Sequence, residues 1–134
     1  MRLLIALILL GASSLALAAG DDCENAVSTM DINLCKAKEV EKAEGQMDKY
    51  LQASIKRHKD DQSTVRLIND TQDVWEKYRT KHCDTVFHIW ADGTIRGVMR
   101  GECKLRLTKA RTHELWQSFL TYGDDTPPDL PEPK

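Results

Sequence analysis

The chain has 134 residues, with 19 basic and 21 acidic side chains, a formal net charge of −2 and four cysteines. That length suits one domain of ordinary size. The mildly acidic balance argues against a general nucleic-acid binder, which needs a basic face to meet phosphate.

In chain order, residues 1–18 read as a cleavable signal peptide. Arg2 supplies the positive start, Leu3 to Leu10 form an unbroken apolar run, and small residues lead to Ala16-Leu17-Ala18, an A-x-A cleavage signal. The run is short of the roughly 20 residues that a bilayer-spanning helix needs, so a retained anchor is the weaker alternative. Lipid attachment at Cys23 is weaker still, because Asp21 and Asp22 stand where acylation needs a small residue. Cleavage after Ala18 leaves residues 19–134, and the loss of Arg2 takes the formal charge from −2 to −3. The expectation is a periplasmic or extracellular protein with no membrane anchor after cleavage.

Cys23, Cys35, Cys83 and Cys103 all lie in the exported part. An even count in an oxidising compartment reads as two disulfides. The competing zinc site takes ligands in close pairs such as C-x-x-C, and here no two cysteines are nearer than 12 positions. Local pairing, Cys23–Cys35 and Cys83–Cys103, closes short loops and is favoured. Antiparallel helices would also bring Cys35 near Cys83, so that pairing stays open.

A first helix begins near Ser28 or Thr29, where Ser28-x-x-Asp31 approximates a capping box. Leu34, Ala37, Val40, Ala43, Met47, Leu51 and Ile55 then recur at steps of three and four, the period of one buried helical face. The helix runs to about Arg57. His58 to Gln62 reads as the turn, with Asp60, Asp61 or Ser63 as the next cap. A second helix follows with Val65, Ile68, Gln72, Trp75, Tyr78 or Arg79, His82 and Val86 on its inner stripe, an antiparallel neighbour of the first. Phe87 to Met99 is less regular. Ala91 to Thr94 is a turn signal, and Gly97 and Gly101 argue for a loop. A third helix is expected from about Glu102 to Phe119, with Leu107, Ala110, Leu115 and Phe119 inward.

The tail, 123–134, holds all four prolines and is acidic. It should be extended and mobile. The fold class is therefore all-α: an antiparallel helical hairpin plus a third helix in a domain spanning 19–122, stapled by two disulfides.

Catalytic constellations are missing. No G-x-S-x-G turn occurs, and the cysteines are read as oxidised. His58, His82, His88 and His113 are scattered, and His82 and His88 are six apart rather than the four that place two ligands on one helical face. No carboxylates separate themselves as acid and base. The chain is read as a binding protein and not an enzyme, with no cofactor, no metal and no catalytic residue.

Two clusters stand out. Between Thr94 and His113, six basic residues (Arg96, Arg100, Lys104, Arg106, Lys109 and Arg111) meet one acid, Glu102. They either cover an outer helical face or form a docking surface for an anionic partner. The second cluster is Trp75, Tyr78 and Arg79, where Trp and Tyr share a helical face and Arg lays its stem across it. Core packing is the favoured reading of that cluster.

Cys23-x-x-Ala26 with Ser28 is followed by Asn33-x-Cys35. Gln72-x-x-Trp75-x-x-Tyr78-Arg79-x-x-x-Cys83 comes next, then Asp92-Gly93-Thr94, then Cys103 with Leu107-Thr108, Arg111 and Leu115. This order of motifs resembles the LprI-type family, small secreted proteins named for a lysozyme inhibitor. Met30-Asp31 and Val40 to Glu44 depart mildly from the family's usual residues there. The resemblance implies a protein partner, a lysozyme, whose cleft holds two carboxylates flanking the scissile bond. The segment expected to contact it is the loop His88 to Arg100, stapled by Cys83–Cys103, with His88, Trp90, Arg96 and Arg100 as contact residues. The alternative is an envelope-stress or scaffold protein that binds an unknown protein or cell-wall partner.

Overall fold

A computed structural model describes residues 22–134. The signal-peptide reading falls on residues 1–18, outside the described part. A short 3₁₀ turn, Asp22–Asn25, precedes three α-helices: α1 (Thr29–Arg57), α2 (Gln62–Ile89) and α3 (Arg96–Phe119). No strand occurs among the described residues, so the chain is all-α, as its periodicity predicts. Both disulfides are the local ones, Cys23–Cys35 and Cys83–Cys103.

The helix ends follow their cap chemistry. Ser28 accepts from the Asp31 amide at 3.1 Å and donates to its carboxylate at 2.6 Å. Asp61 caps α2, accepting from the Ser63 and Thr64 amides at 3.0 and 3.1 Å and from both hydroxyls at 2.7 Å. Those hydroxyl bonds, Ser63 first and Thr64 next, hold the Asp61 carboxyl well below the usual carboxylate range. All of them favour the charged form.

The third helix departs from expectation in where it starts. α2 runs to Ile89 and α3 begins at Arg96, so the irregular stretch shrinks to residues 90–95. Gly97 and Gly101 are helical, because α1 passes them closely. A Cβ on Gly97 would stand 2.5 Å from Asn33 Oδ1, and one on Gly101 would stand 2.5 Å from Lys36 Cγ. Both distances are far inside van der Waals contact. Lys36 then bridges the helices, its amine 2.7 Å from Glu102 and 2.6 Å from Glu39. The Glu102 and Glu39 bonds hold the Lys36 amine above its ordinary pKa.

This contact turns the inner face of α1. Its stripe reads Asn33, Lys36, Val40, Ala43, Met47, Tyr50 and Ser54, an unbroken alternation of three- and four-residue steps. Leu34 and Ala37, expected inside, face solvent, and Leu51 and Ile55 are only half-buried. On α3 the same substitution occurs. Thr108 and Thr112 are buried where Leu107 and Ala110 were expected, with Leu107 half-buried and Ala110 exposed. Their hydroxyls bond back to the Lys104 and Thr108 carbonyls at 2.8 and 2.9 Å, which removes the cost of burying them.

α3 is the shared element. α1 and α2 each pack on it more closely than on one another. The main cluster gathers Met47 and Tyr50 of α1 with Leu115 and Leu120, and Trp75, Trp116 and Phe119 pack against it. Val40, Ala43 and Leu105 form a second cluster. α1 and α3 therefore run in the same direction, with α2 reversed.

The proline-rich tail has no helix, and it folds back onto the bundle, with the Asp129 amide donating to the Leu120 carbonyl. Leu130 packs against the main cluster. The Trp116 indole donates to the Leu130 carbonyl at 2.9 Å, and the Tyr50 hydroxyl donates to that of Pro131 at 2.6 Å. Burial holds the Tyr50 phenol above its ordinary pKa. No helix among the described residues is long and apolar enough to cross a membrane.

Candidate functional site

The motif residues of α2 separate by depth. Gln72 is buried, and its carbonyl accepts from Arg111 Nε at 3.1 Å while its amide donates to Glu76 at 3.1 Å. Arg79 donates to the Thr108 hydroxyl at 2.7 Å and pairs with Glu44 of α1 at 2.8 Å. Its guanidinium lies 5.0 Å from the centre of the Trp75 ring. Gln72, Trp75, Arg79, Thr108 and Arg111 thus form a polar web under one indole, tying all three helices together. Tyr78 stands apart: it is exposed, and its ring stacks on His82 at 5.4 Å.

The contact residues expected of the loop lie at the opposite end from the main cluster, where α1 and α3 begin and α2 ends. Two covalent ties meet there. Cys83–Cys103 joins the last turns of α2 to the second turn of α3, and Cys23–Cys35 ties the leading 3₁₀ turn to α1. His88 is exposed in the last turn of α2 and Trp90 caps that helix, whereas Arg96 and Arg100 stand in the opening turns of α3. All four reach the same end, but most of the supposed loop is helix.

Arg96 and Arg100 share a platform. Their guanidinium carbons lie 4.8 and 5.7 Å from the centre of the Phe87 ring. Arg100 is also paired with Asp84 at 2.6 Å. Its charge is therefore committed within the fold, while Arg96 is exposed and its ion-pairing capacity is open among the described residues. The other basic residues divide similarly: Arg111 is drawn into the web, and Arg106 and Lys109 face solvent.

Exposed apolar side chains complete this end. Ile89 is 72% exposed, Trp90 40% and Ile95 41%, all within seven residues of chain. Reading the sequence missed Ile89 and Ile95. The signal available was their place beside the Ala91 to Thr94 turn, where a large apolar residue has no helical stripe to join. Phe87, the platform, was missed for the same reason.

Three of the four histidines rest against aromatic rings. His58 meets Phe119 edge-on at 6.5 Å, His113 leans on Trp116 at 5.3 Å, and His82 is stacked on Tyr78. His58 and His113 thus lean on two different rings of the main cluster, while His82 lies apart on α2. Among the described residues no group of three His, Cys, Asp or Glu side chains is placed to hold a metal ion. What the stapled end offers is an indole, two isoleucines and a guanidinium on a covalently fixed corner.

Comparison with known proteins agrees with the motif order. An uncharacterized protein of Rhizobium meliloti (strain 1021) is 27% identical over 105 residues, which cover 70% of this chain and 76% of that protein. No solved structure matches. The family model described as lysozyme inhibitor LprI matches residues 21–115, a stretch that holds all four cysteines, the α2 web and the stapled end. The chain belongs to the LprI lysozyme inhibitor family.

Proposed function

We propose that this protein is exported and blocks a lysozyme, using the stapled end as its contact surface. The observation that carries the reading is the exposed set Ile89, Trp90, Ile95 and Arg96 on a corner fixed by Cys83–Cys103. Interface energy concentrates in a few aromatic and Arg anchors, and a rigid anchor gives up little freedom on binding. A cleft with two carboxylates flanking the scissile bond is complementary to one exposed guanidinium presented at the same end of the bundle as an indole. The family's name supplies the partner class, and two disulfides suit an oxidising compartment.

The reading assigns the protein no catalytic group. Inhibition follows from occupancy: the corner enters the cleft and excludes substrate. Trp90 and Ile89 supply desolvated area, and Arg96 supplies charge. Arg100 acts differently from Arg96, because its pair with Asp84 braces α3 against α2.

The test measures cell-wall lysis by a panel of lysozymes with and without the oxidised protein. Trp90→Ala with Arg96→Glu should raise the half-inhibitory concentration by about thirtyfold or more, the effect of losing a hot-spot anchor, while the melting curve stays near that of the parent. A folded double variant that still inhibits fully removes this end as the contact surface. A parent protein that inhibits no lysozyme removes the reading itself.

A further inference from the structure

A second apolar stripe runs along α2, away from the core. At about 100° per residue, Leu67, Thr71, Val74 and Tyr78 fall within roughly 60° of one another on the helix surface. Ile68, Gln72, Trp75 and Arg79 follow them round by one position each and face the bundle. Leu67 is 64% exposed, Val74 66% and Tyr78 52%. Together with Asp70 and the outer edge of Trp75 they line one shallow groove. Three large apolar side chains in line on a solvated helix are more than the scattered single residues a monomer surface carries.

The charges beside the stripe say what fits it. Asp70 and Lys77 lie on the same flank, seven residues apart, both exposed. The apolar positions 67, 71, 74 and 78 are symmetric about a point between residues 72 and 73. Laying a second α2 antiparallel across that point sets Leu67 against Tyr78 of the other copy and Thr71 against Val74. In such an antiparallel pair the same flank of both helices meets. Asp70 of each copy then faces Lys77 of the other, twice by symmetry. A parallel two-fold pair would bring opposite flanks together, so that Asp70 and Lys77 would meet the Trp75 side of the other copy and not each other. The stripe is self-complementary in one orientation only.

We propose that this face of α2 binds a second copy of the chain, as an antiparallel two-fold dimer centred between Gln72 and Asp73. An isologous contact of this kind closes on itself and forms no filament. The stripe lies toward the start of α2, so the stapled end stays free: Val74 and Trp90 are about 24 Å apart at 1.5 Å per helical residue.

Light scattering or sedimentation of the oxidised protein, across about 1 to 500 µM, tests the proposal. A monomer–dimer equilibrium is expected. Val74→Asp should abolish it without changing the melting of dilute protein, since Val74 is exposed in the single chain. Lys77→Asp alone should weaken the dimer by about tenfold, two attractive pairs becoming two repulsive ones. Adding Asp70→Lys to it should restore the parent value. A protein that stays monomeric throughout overturns the proposal, and so does a dimer indifferent to Val74→Asp. A charge exchange that fails to restore affinity overturns the antiparallel register.

Discussion

Trp75 is where single-residue physics meets the family motif. Its indole packs on the main cluster on one side, lies under the Arg79 guanidinium on another and meets the α2 groove at its edge. A fully buried Trp truncated to Ala costs about 3–5 kcal/mol. Trp75 is only half-buried, so Trp75→Ala should cost about 2–3 kcal/mol, part of it the cation–π contact. Thermal melts read this directly, and an unchanged melting temperature would show that the indole serves the surface alone. Arg79→Lys should also destabilise, because one ammonium cannot meet Thr108 and Glu44 while lying flat on the ring. Residues of this kind are legible in sequence as a motif but not in depth. Tyr78 shares the motif with Trp75 and Arg79, yet it is exposed, since only the position of α3 decides which side of α2 is inside.

At the scale of elements, the ends of α1 and α2 are set by local chemistry, and Ser28, Asp61 and the His58 turn announce them in sequence. The start of α3 is not local. Gly97 and Gly101 carry the same composition whether they open a loop or thin a helix, and only the passage of α1 at Asn33 and Lys36 distinguishes the two. The same passage explains the misread stripes. Asn33, Lys36, Ser54, Thr108 and Thr112 are polar residues on inner faces, each satisfied by a bond that hydrophobic periodicity cannot see. Gly101 gives the sharpest check. In an exposed helix Gly→Ala stabilises by up to about 1 kcal/mol. Here the Lys36 stem must move aside for a methyl group, and Gly101→Val leaves no room for both. Gly101→Val should lower stability by about 1–3 kcal/mol, the range for overpacking, and weaken the Lys36–Glu102 bridge. Pairing it with Lys36→Ala should recover most of the loss. A stabilised Gly101→Val would mean that α1 does not approach α3 at this turn.

For the molecule as a whole, the C-terminal tail is the test of how the bundle is closed. Composition alone reads 123–134 as a free acidic segment, because it contains one large apolar residue, Leu130, among prolines and aspartates. That single residue covers the main cluster, its own carbonyl takes the Trp116 indole, and the Pro131 carbonyl takes the Tyr50 hydroxyl. Asp129 turns the segment back, its amide donating to the Leu120 carbonyl at 3.1 Å and its carboxylate accepting from the Tyr122 hydroxyl at 2.9 Å. The prolines lower the entropy lost on docking, since their φ angles are fixed before folding. Burying one Leu contributes about 1.5–3 kcal/mol and each neutral hydrogen bond about 1, against an ordering cost of similar size. Deleting residues 124–134 should therefore cost a net of about 1–2 kcal/mol and lower the melting temperature by roughly 5–10 °C for a domain of this length. Because Trp116 would become wet, the emission should move to longer wavelength, read in a Trp90→Phe background so that the stapled end does not contribute. Leu130→Ala should reproduce part of both changes with every other tail residue in place. If truncation leaves melting and emission as they were, the tail contributes nothing to closing the core, and Tyr50 and Trp116 find their partners in water.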